Sequence, residues 1–152
     1  MNILYTAFNG KTNSSKVLLD NIRSDNKLYL KNSFNTSVEQ LYTELNNKMY
    51  DIIISFGQAP LDMDTIKIET IASGEKQYKT NYDYKDMESS LKEEFNVLIS
   101  KDAGNYLCNN IYYYCLKYID ENKLDTRMIF IHIPKIKNIS DINKLSKIFN
   151  NI

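Results

Sequence analysis

The sequence predicts an α/β fold, a three-layer α/β/α sandwich around a mixed, mostly parallel sheet. Three observations carry that prediction. Asp51-Ile52-Ile53-Ile54-Ser55-Phe56-Gly57 is a β-branched apolar run closed by glycine, and Met128 to Ile133 is a second such run, stopped by Pro134. Neither has a polar face, so each requires cover on both sides, as buried parallel strands do. Stretches of helical periodicity lie between the strand-like runs, which implies crossover connections.

Each element has its own local reason. Asn2 to Phe8 alternates and turns at Asn9-Gly10, the pattern of a first strand and loop. Ser14 or Ser15 can cap a helix whose apolar side carries Val17, Leu18, Leu19 and Ile22. Leu28 to Leu30 is a short strand candidate. Thr36 or Ser37, followed by Glu39, opens a second helix through Leu41, Leu45 and Met49. Thr65 to Ala72 alternates Ile66 and Ile68 with Lys67 and Glu69, a half-buried strand. Gly74 to Met87 is a polar, tyrosine-containing loop, and Phe95 to Ser100 a further strand. Asn105 to Glu121 is a helix with Leu107, Ile111, Cys115 and Tyr118 on one face. Ser140 to Asn150 is a closing helix with Ile142, Leu145 and Ile148 inward.

The composition excludes several classes of function. With 19 basic and 19 acidic side chains the 152-residue chain is neutral, so no electrostatic attraction draws it to nucleic acid or an anionic membrane. One domain over residues 1–152 is expected, with no repeat or linker. The start lacks a signal-peptide pattern, and no apolar run approaches the ~20 residues of a membrane span. A cytoplasmic protein is expected, with its two cysteines free. Neither GxGxxG nor a P-loop occurs, and one histidine with two separated cysteines gives no zinc spacing. No metal and no cofactor are expected.

Ligands of such sheets bind beyond the carboxyl ends of the strands, which directs attention to the segments after Phe56, Ser100 and Ile131. His132, the one histidine, stands there, just before Pro134. Cys108 lies near the start of a helix, where backbone N–H groups favour a thiolate and can hold an oxyanion. With Asn105 as cap it falls in the first turn; with Asp102 as cap, in the second. Cys115 is seven residues on, about 10 Å along the axis, too far for a disulfide. It reads as a packed core thiol. Glu69 stands on the polar face of its strand, and pattern alone makes it a solvated glutamate.

Several of these segments resemble pyroglutamyl peptidase I (pyrrolidone-carboxylate peptidase). Ser100-Lys101-Asp102-Ala103-Gly104-Asn105-Tyr106-Leu107-Cys108-Asn109 is similar to that family's nucleophile motif, and Phe130-Ile131-His132-Ile133-Pro134 to its histidine motif. Gly57-Gln58-Ala59 resembles the start of the loop preceding its glutamate, and Ile68-Glu69-Thr70-Ile71-Ala72 the segment that bears it. Ile3 to Phe8, with Asn13-Ser14-Ser15, resembles its first strand and loop. Set against that family's pattern, the chain resembles a shortened, divergent member, with deletions in the first loop and between Glu69 and Phe95. The first loop has lost an aromatic, and Pro60-Leu61-Asp62 replaces the expected glycines and arginine.

The resemblance implies a cysteine peptidase that removes an N-terminal pyroglutamyl residue from a peptide. Cys108 would be the nucleophile, His132 the base and Glu69 the group that orients the imidazole. Phe8 and Tyr106 are the expected walls of the lactam pocket, and Gln58 its polar edge. Weak turnover with a raised KM is expected, because the pocket loops have changed. Two rivals stand beside this reading: a thiol amidase with another small substrate, and a non-catalytic relative acting as a binding domain. Homo-oligomerisation is left open.

Overall fold

A computed structural model describes the whole chain, Met1–Ile152. Its strands are β1 (Ile3–Phe8), β2 (Lys27–Leu30), β3 (Ile52–Gln58), β4 (Thr65–Glu69), β5 (Ile71–Ser73), β6 (Gln77–Lys79), β7 (Asn96–Ser100) and β8 (Arg127–Ile133). Its α-helices are α1 (Ser14–Asp20), α2 (Phe34–Asn47), α3 (Lys85–Lys92), α4 (Leu107–Glu121) and α5 (Ile142–Asn150). Six strands form the main sheet in the order β2-β1-β3-β8-β4-β7. Strands β2, β1, β3 and β8 are mutually parallel; β4 is antiparallel to β8, and β7 is parallel to β4. Strands β5 and β6 pair separately as a small antiparallel ribbon.

The two apolar runs become the central strands β3 and β8. Their alternate residues feed two cores on opposite faces, which is why neither run shows a polar face. Ile52, Ile54, Phe56, Ile129, Ile131 and Ile133 join Leu18, Leu19, Met87, Leu91, Leu145 and Phe149, from α1, α3 and α5. Ile53, Met128 and Phe130 join Leu41, Leu45, Ile111, Tyr112 and Leu116, from α2 and α4. The three predicted layers are present. No helix is long and apolar enough to cross a membrane.

Several boundaries differ from expectation, each for a local reason. The first helix is capped by Asn13, whose side chain accepts from the Ser15 N–H, and Ser14 and Ser15 are buried in its first turn. Ser33 caps α2 instead of Thr36 or Ser37, and the helix ends before Met49, which is 68% exposed. The alternation from Thr65 to Ala72 spans two sheets: Thr70 leaves β4 and gives both its N–H and its hydroxyl to the Ser100 carbonyl. The expected loop Gly74–Met87 contains β6 and leads into α3, which buries Met87 and Leu91. Tyr106 is the N-terminal boundary of α4 rather than Asn105 or Asp102, so Cys108 is the second helical residue.

Candidate active site

Register assembles the site. His132 and Phe130 lie on the α2/α4 side of β8, their rings 5.0 Å apart. Glu69 is opposite Phe130 across the antiparallel β4–β8 pair, while Lys67 is opposite His132. Glu69 is therefore a diagonal, same-face neighbour of His132, within reach of long side chains. His132 Nδ1 and Glu69 Oε2 are 2.6 Å apart, with 7% and 1% of the two residues exposed. The solvated-glutamate reading fails because Glu69 is 1% exposed and its carboxylate meets His132, with Tyr112 of α4 reaching its backbone carbonyl. As a carboxylate, Glu69 accepts the bond, so Nδ1 carries the hydrogen and Nε2 is the ring's open nitrogen.

The second oxygen, Oε1 of Glu69, is buried without a hydrogen-bond partner. Such an orphaned group costs roughly 1–3 kcal/mol, and structure alone gives no return for it. Tyr112 steadies the strand here by donating its hydroxyl to the Glu69 carbonyl at 2.8 Å.

Cys108 reaches the same face from α4. Gly57 on β3 is level with His132 on β8. An added Cβ at Gly57 would lie 2.5 Å from Cys108 Sγ and 2.9 Å from Phe130 Cζ, so the sulfur occupies the space that any larger residue would fill. The start of α4 is held by Asn109, which clasps Ser73: Oδ1 accepts from its N–H at 2.9 Å and Nδ2 donates to its carbonyl at 2.8 Å. Tyr106 provides no side-chain cap, so the first-turn N–H groups, that of Cys108 included, have no partner within the helix.

The reversed direction of β7 corrects one expectation. Across β4, Ser100 lies level with Phe130, not with the carboxyl end of β8. The loop Lys101–Tyr106 carries the chain back over the sheet to Gly57. Gly104 adopts a φ of +86° in that loop, a conformation that favours glycine, and its N–H bonds Asp102 Oδ1.

The thiol and the imidazole share a sheet face, but no hydrogen bond joins them in this arrangement. Catalytic bonds in substrate-free sites commonly tighten only when substrate binds. Burial first, and then the Glu69 charge, push the Cys108 thiol up from 9.0 to about 12. That overturns the thiolate expected from the helix start: desolvation and a neighbouring anion outweigh the helix end. Cys115, fully buried, is also raised, by burial alone.

Two outcomes follow for the thiols. Iodoacetamide is expected to modify Cys108, whose surface is partly open, well before Cys115, with a rate that climbs as pH rises; equal rates in the folded chain would contradict this arrangement. Stability should fall in alkali. Both thiols have folded values above the unfolded 9.0, so their contribution is complete below about pH 9 and drains away as pH rises through the folded values. Each adds a slope of about 1.4 kcal/mol per pH unit in that window. Urea midpoints measured from about pH 8 to about pH 11 check this, and a flat profile would refute it.

The three expected pocket residues are differently placed. Phe8 ends β1 and is 3% exposed, packed into the α2/α4 core. The Gln58 side-chain Oε1 accepts from the Ser14 N–H at 2.9 Å, which leaves its side-chain NH₂ to offer. Tyr106 is 67% exposed, edge-on to Phe34 at 5.4 Å. With Asn109, Tyr113 and Tyr114 it lines a cavity on the outer side of α4, to which neither Cys108 nor His132 contributes. Gly57 as the sulfur's seat, Asn109 as clasp and Tyr112 as brace were not foreseen. The only signal for Gly57 was a glycine closing an otherwise apolar strand.

Comparison with known proteins bears on what this arrangement belongs to. The pyroglutamyl peptidase family model matches residues 62–148, more than half of the chain. The chain belongs to the pyroglutamyl peptidase family. The matched stretch contains Glu69, Cys108 and His132. A pyrrolidone-carboxylate peptidase of Brachyspira hyodysenteriae is 31% identical over 133 positions, covering 72% of this chain and 66% of the relative. Pyrrolidone-carboxylate peptidase 1 of Caldanaerobacter subterraneus subsp. tengcongensis is 30% identical, covering 88% and 82%. That alignment runs over 169 positions, more than the 152 residues here, so this family member lacks segments its relative carries. The crystal structure of pyroglutamyl peptidase I from Bacillus amyloliquefaciens superposes with a TM-score of 0.87 at 21% identity, covering 97% of this chain and 92% of the other. The pyrrolidone carboxyl peptidase of Fervidobacterium islandicum gives 0.86, again at 21%, covering 99% and 95%. These two establish the shared fold.

Proposed function

We propose that this chain is a cysteine peptidase that hydrolyses the bond following an N-terminal pyroglutamyl residue. The observation that carries the reading is the buried Glu69–His132 pair beside the Cys108 sulfur, seated over a glycine. A buried carboxylate with one orphaned oxygen is poorly explained by packing. It is well explained as a group that fixes an imidazole tautomer and stabilises the cation formed in turnover.

Because the thiol is held near 12, it is neutral at pH 7, and its proton leaves as attack occurs. Nε2 of His132 takes that proton while sulfur bonds the exocyclic carbonyl carbon of the lactam residue. First-turn N–H groups of α4, including that of Cys108, stabilise the oxyanion. The C–N bond then breaks as the imidazolium returns the proton to the leaving amine, giving a thioester. Water, deprotonated by the same imidazole, releases pyroglutamate and the free thiol. The lactam is neutral and flat, so its pocket needs apolar walls and a donor; the Gln58 side-chain NH₂ would be the donor, whereas Phe8 is closed into the core and Tyr106 stands on the outer side of α4. No step calls for a metal or a cofactor.

The test is steady-state hydrolysis of pyroglutamyl-, prolyl- and alanyl-arylamides by the intact chain. Pyroglutamyl is expected to be preferred, with a raised KM, since a lost aromatic wall costs roughly 1–3 kcal/mol, about ten- to a hundredfold in affinity. Preference for another acyl group would favour a thiol amidase of different specificity. No turnover of any, with an unreactive Cys108, would favour a binding domain.

A further inference from the structure

The antiparallel pairing that sets Glu69 diagonal to His132 also sets Lys67 directly opposite it. Residues directly opposite share a face, with Cβ atoms about 4.5–5.5 Å apart. Lys67, Glu69, Phe130 and His132 therefore all stand on the α2/α4 side of the sheet. The other neighbour of Lys67 is Leu98 on β7, level with it and 50% exposed. On this face the site is enclosed at Glu69 and opens at Lys67, toward the rim of the sheet.

Lys67 is half-buried, yet no carboxylate of the chain pairs with its ammonium. Glu69, two residues on, is already committed: Oε2 meets His132, and Oε1 is enclosed without a partner. A lysine withdrawn from water is normally paired. This one also opposes the work of its neighbour. In the proposed reaction His132 becomes an imidazolium, and a permanent cation beside it disfavours that charge. An anion brought by the substrate would offset both costs.

We infer that Lys67 receives a carboxylate on the residue that follows the pyroglutamyl group, so that the chain prefers an acidic leaving residue. The inference rests on the peptidase reading and deepens it. Nε2 of His132 hands its proton to the leaving amine, so the leaving residue lies beside the imidazole. Its carboxylate stands only a few bonds from that amine, a span that the flexible four-carbon stem of Lys67 can follow. Two sources share this chemistry. One is the free carboxyl terminus of a pyroglutamyl dipeptide; the other is an aspartate or glutamate side chain at the first leaving position. Lys101 is the other cation in this part of the sheet. It is exposed and follows Ser100, which lies level with Glu69 at the opposite end of β4.

Hydrolysis of four peptides by the full chain tests this. They are pyroglutamyl-alanine and its amide, and the α-amides of pyroglutamyl-glutamate and pyroglutamyl-glutamine. The first pair reads the terminal carboxylate and the second the side chain; a preference in either supports the assignment and identifies the source. The favoured acid should exceed its neutral partner by about tenfold in kcat/KM, the size of a charge-assisted bond, and mainly through KM. Lys67→Met keeps the stem and should bring that ratio to about one, Lys67→Glu should invert it, and Lys67→Arg should keep it. Circular dichroism reports that each variant folds. Lys101→Met should leave the ratio in place. A second readout needs no variant: raising salt from about 0.01 M to about 1 M should narrow the ratio of the parent chain. Equal kcat/KM for acids and amides, a preference that survives in folded Lys67→Met, or one insensitive to salt would each overturn the assignment while leaving the peptidase standing. No turnover of any of the four would overturn the peptidase reading, and this inference with it.

Discussion

Replacing Glu69 by glutamine is expected to lower kcat about a thousand- to ten-thousandfold while making Cys108 easier to ionise. Glutamine keeps the size of the side chain, but it no longer offers a carboxylate 2.6 Å from His132 Nδ1. The amide can donate to that nitrogen, which would select the wrong tautomer and leave nothing to balance an imidazolium; a comparable loss accompanies removal of the charge in the general triad scheme. The thiol responds in the opposite sense. The Glu69 charge is the second of the two causes that hold Cys108 near 12, after burial. Its removal should bring thiolate formation to lower pH, so the pH profile of alkylation shifts downward as turnover falls. A structural role alone would not produce both changes. Unchanged kcat with an unchanged alkylation profile would remove Glu69 from the site.

Replacing Gly57 by alanine should cost at least about a hundredfold in kcat. The added methyl would stand 2.5 Å from Cys108 Sγ and 2.9 Å from Phe130 Cζ, well inside van der Waals contact. The strand cannot retreat, since β3 is paired along its whole length with β8. The helix cannot readily lift, since Asn109 holds its start to Ser73. The sulfur must therefore swing aside, and a displacement of about 1 Å at a reacting atom is enough for a loss of that order. Iodoacetamide rates at Cys108, with thermal unfolding, distinguish a moved thiol from an unfolded chain. Full activity would mean that the sulfur in use lies elsewhere.

Much of this was legible in the sequence because local chemistry dictates it. Ile52–Ile54 and Met128–Ile133 lack any polar face and had to lie between two helix layers, and they do. Cys108 and His132 stood out as a thiol at a helix start and the one histidine at a strand end. The less legible features depend on contacts remote in sequence. The alternation through Thr65–Ala72 hides the break at Thr70, because its cause is the Ser100 carbonyl thirty residues away. Helix α3 has only Met87 and Leu91 to bury, too few to stand out in a polar stretch. Glu69 reads as solvated because its partner lies sixty-three residues on. The upward shift of the Cys108 thiol was invisible for the same reason, since it arises from burial and from Glu69, not from the helix that carries it.

The most direct measurement is release of free pyroglutamate from a pyroglutamyl dipeptide by the intact chain, set beside the Cys108→Ser variant and followed by chromatography. Serine preserves shape at the seat over Gly57 but removes the sulfur nucleophile, and loss of a nucleophile in a cooperating triad commonly costs about a millionfold in kcat. The account predicts pyroglutamate from the parent chain and none above background from a folded Cys108→Ser. Release that persists in Cys108→Ser, or none from the parent at any substrate concentration, would contradict it.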